Sequence, residues 1–119
     1  MTAGEMILKK GEAAFRDMET AVIEEISARN GCVIATGGGA VLRKENVDLL
    51  RMNGKLFFLD RPVEQLLPTD DRPLSSTKEA IIRRYNERYS TYTATADTVI
   101  DNGGTPAEAV QKVKRSFFA

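Results

Sequence analysis

The pattern of apolar and polar positions along the chain predicts alternating helices and strands. In the first half, apolar residues recur at helical spacing between about residues 12 and 28, and Asn30-Gly31 is a typical helix stop. The β-branched run at 32–36 then predicts a short buried strand that leads directly into three glycines. After the glycines, a second helix is predicted at 43–52.

The second half of the chain continues the alternation and ends in a helix. Consecutive apolar residues at 55–60 predict a strand that is buried on both faces, as in parallel sheets. A capping box at Ser76 and Glu79 predicts a helix that reaches about residue 89. The other predicted elements are a helical turn at 63–67, a third strand at 97–101 and a last helix from Thr105-Pro106 to about residue 116.

This order of elements predicts an α/β layered fold with a parallel sheet, because helices and strands alternate along the chain. Ligands of such sheets bind beyond the carboxyl ends of the strands. Two places qualify: the glycines that follow the predicted strand at 32–36, and the proline-rich loop within 61–77 that follows the strand at 55–60.

Composition and charge narrow the classes of function. The chain has 119 residues, which we interpret as one domain, 1–119, and 42% of the residues are apolar. Lys+Arg and Asp+Glu both number 17, so the net charge does not draw the chain to nucleic acid or to an anionic membrane. No apolar run approaches the ~20 residues of a membrane span. We therefore expect no nucleic-acid or membrane partner, and a cytoplasmic location.

The absence of histidine and the single cysteine limit the chemistry further. Without histidine, Ser/His/Asp and Cys/His catalysis are excluded, and so are zinc sites that contain histidine. Cys32 by itself forms neither an internal disulfide nor a four-cysteine zinc site, and it suits the reducing cytosol. The available chemistry is that of arginine, lysine, carboxylates, hydroxyls and the backbone, and no residue is assigned to a metal.

The stretch VIATGGGAV, residues 33–41, is the first candidate site. Three glycines after a predicted strand let the backbone approach a ligand closely, and their N–H groups suit hydroxyl or anionic oxygens. The alternative is a tight turn between a strand and a helix. The glycines do not match the dinucleotide fingerprint G-x-G-x-x-G, and the phosphate loop G-x-x-x-x-G-K-[ST] occurs nowhere in the chain.

Three arginines are candidates for binding acidic groups. Arg16 lies at the edge of the apolar face of the first helix, where its planar set of donors would meet a carboxylate ligand. The alternative is a solvated arginine or an ion pair with Glu12 or Glu19. Arg72, in the proline-bounded loop, would close over phosphates or else pair with the aspartates beside it. Arg88, on the helix that ends near the mouth of the sheet, would otherwise be a solvated charge.

Four motifs, in this order and at this spacing, resemble shikimate kinase. They are GEAAFRDME at 11–19, VIATGGGAV at 33–41, DDRPL at 70–74 and RYSTYTATAD at 88–97, and the resemblance runs from about residue 4 to the C-terminus. It implies a P-loop NTPase fold of the nucleoside monophosphate kinase type: a truncated three-layer α/β fold with a parallel sheet, helices on both faces and a lid-like loop at 61–77. Gluconate-type kinases, which share this fold, are a weaker alternative.

The resemblance also implies an activity and a site. Shikimate kinases transfer the γ-phosphoryl group of ATP to the 3-hydroxyl of shikimate, with Mg²⁺, on the route to chorismate and the aromatic amino acids. The shikimate carboxylate would be held by two arginines, the glycines would line the shikimate pocket, and the lid arginine would reach the ATP phosphates and act in catalysis. The residues so implied are Arg16 and Arg88 for the carboxylate, Gly37, Gly38 and Gly39 for the pocket, and Arg72 for the lid.

The sequence departs from the family pattern at its start. Members of the family begin with a strand, a phosphate-binding loop G-x-x-G-x-G-K-[ST], a helix and a second strand, and this pattern is missing from the 119 residues. We expect the isolated chain to be inactive, with self-association or a complementing N-terminal segment filling the sheet between 32–36 and 55–60. The alternative function is a non-catalytic module, derived from a shikimate kinase, that binds a small acid or serves in assembly.

Overall fold

The computed structural model describes residues 3–66 and 77–118, and the chain divides into an N-terminal unit, residues 1–54, and a C-terminal unit, residues 55–119. Each unit is described by itself below. The helices are α1 (Ala3–Lys10), α2 (Glu12–Ser27), α3 (Lys44–Met52), α4 (Lys78–Thr95) and α5 (Pro106–Phe117), the strands are β1 (Phe57–Asp60) and β2 (Thr98–Asp101), and 3₁₀ turns lie at Ala40–Leu42 and Val63–Leu66.

The N-terminal unit is helical. Helix α2 packs against α1 on one side and against α3 on the other. Gly11, between α1 and α2, has φ +88°, and Gly31, after α2, has φ +67°, a left-handed backbone that glycine adopts without strain. The predicted helix stop at Gly31 is confirmed. The buried apolar residues of this unit are Ile23, Ala40, Val47 and Leu50.

The C-terminal unit is built on a parallel pair of strands with a helix on each face. Strand β1 pairs with β2 in register, so that Asp60 lies opposite Asp101 at the carboxyl ends. Successive residues of a strand point to opposite faces. Phe57 accordingly contacts Phe117 of α5, with 6.5 Å between ring centroids, and Phe58 contacts Tyr92 of α4 at 5.0 Å. The predicted α/β class, with parallel strands between helices, is confirmed.

The predicted strand at 32–36 is wrong. These residues have no regular secondary structure, and Val33 is 101% exposed, whereas a buried strand would hide its side chain. A β-branched run favours a strand only where a neighbouring backbone completes its hydrogen bonds. Within residues 3–66 and 77–118 the ladder pairs β1 with β2 and does not include 32–36.

The helix ends also differ from the prediction in places. Helix α1 was not predicted, and α4 continues to Thr95, beyond the predicted end near residue 89. The N-cap of α4 is Thr77, whose Oγ1 accepts a hydrogen bond from the N–H of Ala80 at 3.1 Å. Ser76, the predicted cap, lies outside the described residues. At α5 the predicted cap is confirmed, because Thr105 Oγ1 accepts from the N–H of Glu108 at 3.2 Å.

None of the helices within residues 3–66 and 77–118 combines the length and the apolar character that crossing a membrane requires.

Candidate functional site

Arg16 and the glycine turn lie together in the N-terminal unit. The guanidinium of Arg16 projects from α2 and packs over the ring of Phe15, with Cζ 5.1 Å from the ring centroid. It also lies directly against Gly39: a Cβ placed on Gly39 would be 2.6 Å from Cζ and from Nη1 of Arg16. Only a residue without a side chain leaves room for the guanidinium in this position.

Two carboxylates fix the guanidinium of Arg16. Glu19 Oε1 accepts a hydrogen bond from Nη1 at 2.9 Å, and the two side chains are 14% and 19% exposed. Glu12 is a looser partner, 3.7 Å from Nη2 and 69% exposed. The predicted alternative, an ion pair with one of these residues, is therefore correct for both. While it makes these ion pairs, the guanidinium of Arg16 also lies against Gly39.

The glycine turn is supported from beneath by a buried amide. Asn46 of α3 is fully buried, and its Nδ2 donates a hydrogen bond of 2.8 Å to the carbonyl oxygen of Ala40. Within the turn, the N–H of Ala40 donates to the carbonyl of Gly37 at 3.2 Å, and that of Leu42 donates to the carbonyl of Gly39 at 3.2 Å. The sequence did not single out Asn46, because an asparagine early in a helix is ordinary on sequence alone.

A second ion pair ties the chain after the turn to α2. Arg43 Nη1 donates to Asp17 Oδ1 at 2.9 Å and to Thr20 Oγ1 at 3.3 Å. The sequence did not predict this contact either, since its partners are more than twenty residues apart along the chain. Arg43 and Asn46 together fix the segment that follows the glycines, Arg43 by its bonds to α2 and Asn46 by its bond from α3.

Arg88 lies in the C-terminal unit, on the aromatic face of α4. Phe58 of β1 contacts the rings of Tyr89 and Tyr92, at centroid distances of 6.1 Å and 5.0 Å. Arg88 is half-buried beside this cluster, and within residues 3–66 and 77–118 its guanidinium has no hydrogen bond or ion pair. A cation that is partly withdrawn from water and lacks a partner in the described protein is suited to an anionic ligand.

One turn before Arg88, Tyr85 is bound to the end of β1. Its hydroxyl donates a hydrogen bond of 2.9 Å to Oδ1 of Asp60. Burial and, next to it, this hydrogen bond raise the pKa of the Tyr85 phenol from 10.0 to about 12. The phenol is therefore a hydrogen-bond donor throughout the neutral range. Neither residue was predicted as part of a site.

The structure thus brings together part of the predicted set. Arg16 lies against Gly39 and near Gly37, where a Cβ would be 3.4 Å from Oε2 of Glu19, and Gly38 lies between the two glycines in the same turn. Arg88 belongs to the other unit, and Arg72 lies outside the described residues. The binding roles assigned to all these residues stay predictions.

Solved structures define the class of fold. The shikimate kinase from Acinetobacter baumannii, in complex with shikimate, is similar with a TM-score of 0.86 and 30% identity, over 98% of this chain and 70% of that one. The shikimate kinase from Aquifex aeolicus is similar with a TM-score of 0.81 and 30% identity, over 98% and 71%. The protein is accordingly an α/β protein with a P-loop NTPase-like kinase fold.

Sequence comparisons define the family. The family model described as Shikimate kinase matches residues 1–117. A shikimate kinase of Clostridium botulinum (strain Alaska E43 / Type E3) is 40% identical over 113 residues, which are 92% of this chain and 68% of the relative. One from Burkholderia lata is 44% identical over 101 residues, which are 79% and 55% of the two chains. The chain belongs to the shikimate kinase family.

The family implies Mg²⁺ and ATP, and the described residues do not offer a site for the metal ion. Among residues 3–66 and 77–118, no three His, Cys, Asp or Glu side chains are grouped so that they would hold a metal ion. The 119 residues also contain no G-x-x-x-x-G-K-[ST] loop.

Proposed function

We propose that this chain supplies the shikimate-binding part of a shikimate kinase, an enzyme that transfers the γ-phosphoryl group of ATP to the 3-hydroxyl of shikimate in the biosynthesis of chorismate and aromatic amino acids. One observation carries the proposal: the Arg16 guanidinium, held by Glu19 at 2.9 Å, lies against a turn of three glycines. A small hydroxylated acid needs a donor pair for its carboxylate and close backbone contacts for its ring.

The carboxylate of shikimate would bind at Nη2 of Arg16. Glu19 occupies Nη1 and keeps the guanidinium in place, whereas Glu12 reaches Nη2 only at 3.7 Å from an exposed position. An exposed ion pair of this length contributes little free energy. A ligand carboxylate would therefore replace Glu12 without disturbing Glu19.

The ring hydroxyls would face the glycines. Gly37, Gly38 and Gly39 present no side chains, so the ring approaches the backbone closely, and we expect the N–H of Gly38 to contact it directly. A Cβ on Gly39 would collide with Arg16, so a glycine at this position leaves room both for the guanidinium and for the ligand.

Arg88 would be the second donor to the shikimate carboxylate. Its half-buried guanidinium has no ion-pair partner in the described parts of the chain, which favours an external anion. The Acinetobacter baumannii relative, solved in complex with shikimate, supports the choice of ligand because it matches 98% of this chain.

The remaining parts of the proposal concern the whole enzyme. We assign Arg72 to the ATP phosphates as the lid arginine of a loop at 61–77, within a single domain, 1–119. Because the 119 residues lack the phosphate loop, the isolated chain is expected to bind shikimate without transferring phosphate, alone or through self-association, unless a complementing segment is added. The exposed thiol of Cys32 supports a reducing, cytoplasmic location.

Calorimetric titration of the chain with shikimate tests the proposal. Arg16→Ala and Arg88→Ala should each weaken binding by about 1.5–3 kcal/mol, because each removes a charged hydrogen-bond donor to the ligand carboxylate. Arg29→Ala, at an exposed arginine after α2, and Arg83→Ala, at an exposed arginine on α4, are the matched controls. Unchanged affinity in both site variants would remove the assignment.

The second candidate is the non-catalytic module that binds a small acid, which would use only the contacts of Arg16 with Glu19 and with the glycine turn. The two functions differ in turnover. Adding a segment that carries G-x-x-G-x-G-K-[ST], together with ATP and shikimate, should produce shikimate 3-phosphate if the chain is part of a kinase. Shikimate binding without product in that mixture would favour the module.

A further inference from the structure

We propose that Asp60 and Tyr85 form a positioning pair that fixes α4 at the carboxyl end of β1 and thereby holds Arg88 in place for its ligand. Tyr85 donates to Asp60 Oδ1 at 2.9 Å, and Asp60 is the last residue of β1. Tyr85 and Arg88 are three residues apart on α4, so they share a face of the helix. The choice of ligand rests on the proposed function; the positioning does not.

Aromatic contacts also join α4 to β1. Phe58 contacts Tyr89 at 6.1 Å and Tyr92 at 5.0 Å between ring centroids, and within α4 the ring of Tyr85 lies 5.5 Å from that of Tyr89. Aromatic pairs tolerate several arrangements over centroid distances of roughly 4.5–7 Å. A hydrogen bond is directional and short. The Tyr85–Asp60 bond is thus a directional contact that favours one rotation of α4 on the strand.

Arg88 needs such support because its own head group has none in the described protein. In residues 3–66 and 77–118 no acceptor binds its guanidinium, so the position of the side chain follows from the helix that carries it. Holding a long side chain for a ligand loses conformational entropy, and a helix fixed in advance reduces that loss on binding. The raised pKa of Tyr85 is consistent with a permanent donor in this role.

Tyr85→Phe tests the pair, with Tyr89→Phe as the matched control. Both changes remove one hydroxyl from α4, but the hydroxyl of Tyr89 has no hydrogen-bond partner among the described residues. The first readout needs no ligand: the NMR signal of the Arg88 Nε–H group. We expect Tyr85→Phe to shift or broaden this signal and Tyr89→Phe to leave it unchanged. An unchanged Arg88 signal in Tyr85→Phe overturns the proposal, even if shikimate does not bind at all.

The second readout is shikimate affinity in a double-mutant cycle. Tyr85→Phe should weaken binding roughly 3- to 10-fold, and Tyr89→Phe less than twofold. In an Arg88→Ala background, Tyr85→Phe should have no further effect, because the pair acts through Arg88. Equal losses from Tyr85→Phe in both backgrounds would mean a general structural role and would contradict the proposal. Failure of the wild-type chain to bind would instead refute the proposed function.

Rescue at the acceptor separates positioning from charge. Asp60→Asn keeps an oxygen that accepts from Tyr85, whereas Asp60→Ala does not. We expect Asp60→Asn to keep the wild-type Arg88 signal and Asp60→Ala to reproduce the Tyr85→Phe signal. If Tyr85→Phe fails to fold, this pair of variants makes the same test. The same Arg88 signal in Asp60→Ala and in the wild type would refute the positioning role.

Discussion

The N-terminal unit holds Arg16 by its head group, whereas the C-terminal unit holds Arg88 by its helix. Arg16 is bound to Glu19 at 2.9 Å, approached by Glu12 at 3.7 Å and packed against a glycine. Arg88 has no such partner in the described residues, and the contacts around it belong to its neighbours on α4. The two arginines that are proposed to bind one acid are thus positioned by different kinds of contact.

This difference affects what each arginine gives to a ligand. The carboxylate of Glu19 orients Arg16 but also neutralises part of its charge, so Arg16 offers direction more than attraction. Arg88 is half-buried and has no ion-pair partner among the described residues, so it would attract an anion more strongly, at the cost of ordering its side chain on binding. Substitutions that act on one arginine and spare the other test this contrast.

The largest effect is expected where the support of the Arg16 region is removed. Asn46→Ala deletes the buried hydrogen bond of 2.8 Å to the Ala40 carbonyl and leaves that carbonyl with the longer bond of 3.5 Å from the N–H of Arg43. Asn46 Oδ1 is itself buried and has no partner among the described residues, so part of the loss is recovered. We expect the free energy of unfolding to fall by about 2 kcal/mol. Urea denaturation measures it.

The matched control for this change is Asn86→Ala on α4. Asn86 is exposed, and alanine is the better helix former, so stability should stay within about 0.5 kcal/mol of the wild type. Equal losses in the two variants would mean that the amide of Asn46 does not support the glycine turn.

The next effect concerns the space that Gly39 leaves for Arg16. Gly39→Ala should lower shikimate affinity about tenfold, because the new methyl group would displace the guanidinium. Folding should change little, since Gly39 has a negative φ of −90° with ψ −5°, a backbone conformation open to alanine, and the group displaced is the end of a flexible side chain. Calorimetry measures the shikimate affinity and urea denaturation measures the stability of the fold.

Gly37→Ala is the graded control for Gly39→Ala. A Cβ at Gly37 would lie 3.4 Å from Glu19 Oε2, close to an ordinary contact. The loss of shikimate affinity should therefore be clearly smaller than at Gly39. If both alanines weaken binding equally, the glycines act through their contacts with the ligand and not through room for Arg16.

The third prediction concerns Tyr85 and the stability at high pH. Burial and, next to it, the bond to Asp60 raise the pKa of Tyr85 from 10.0 to about 12 in the folded chain, so the neutral phenol contributes its full stabilisation below pH 10. As the pH rises from 10 to about 12, the unfolded phenol ionises first and this stabilisation is lost. The wild type should therefore lose stability more steeply in this range than Tyr85→Phe. Parallel curves would contradict the raised pKa.

Local patterns in the sequence predicted α2, α3, α4, α5 and both strands, β1 and β2. Thr105-Pro106 and Asn30-Gly31 carry their own signals, a side-chain cap and a left-handed glycine, and α5 begins at Pro106 while α2 ends at Ser27, shortly before Asn30-Gly31. The run 32–36 has strand propensity, but a strand depends on a partner that local sequence does not encode. Propensity alone therefore predicted a strand where the described chain has none.

The same distinction applies to the candidate site. Arg16 and Glu19 are three residues apart on one helix, so their pairing was predictable from spacing. The contacts of Asn46 with Ala40, of Arg43 with Asp17 and of Tyr85 with Asp60 were not predicted. Two of these three join residues more than twenty positions apart, and the third depends on the side-chain direction of a single buried amide.

The smallest expected effects on shikimate affinity differ in sign between the two glutamates, Glu12 and Glu19, that contact Arg16. Glu12→Gln removes the exposed competitor at 3.7 Å and should leave shikimate binding unchanged or tighten it up to about twofold. Glu19→Gln weakens the contact that orients the guanidinium and should loosen binding about two- to threefold. Both substitutions remove one negative charge, so a purely long-range effect of charge would change affinity in the same direction.

Calorimetric titrations of the two variants at two salt concentrations measure the difference. Opposite signs that persist at high salt would mean that Glu19 acts by holding Arg16 and not by its charge alone, whereas the same sign in both variants would refute the contrast between an orienting and a competing carboxylate.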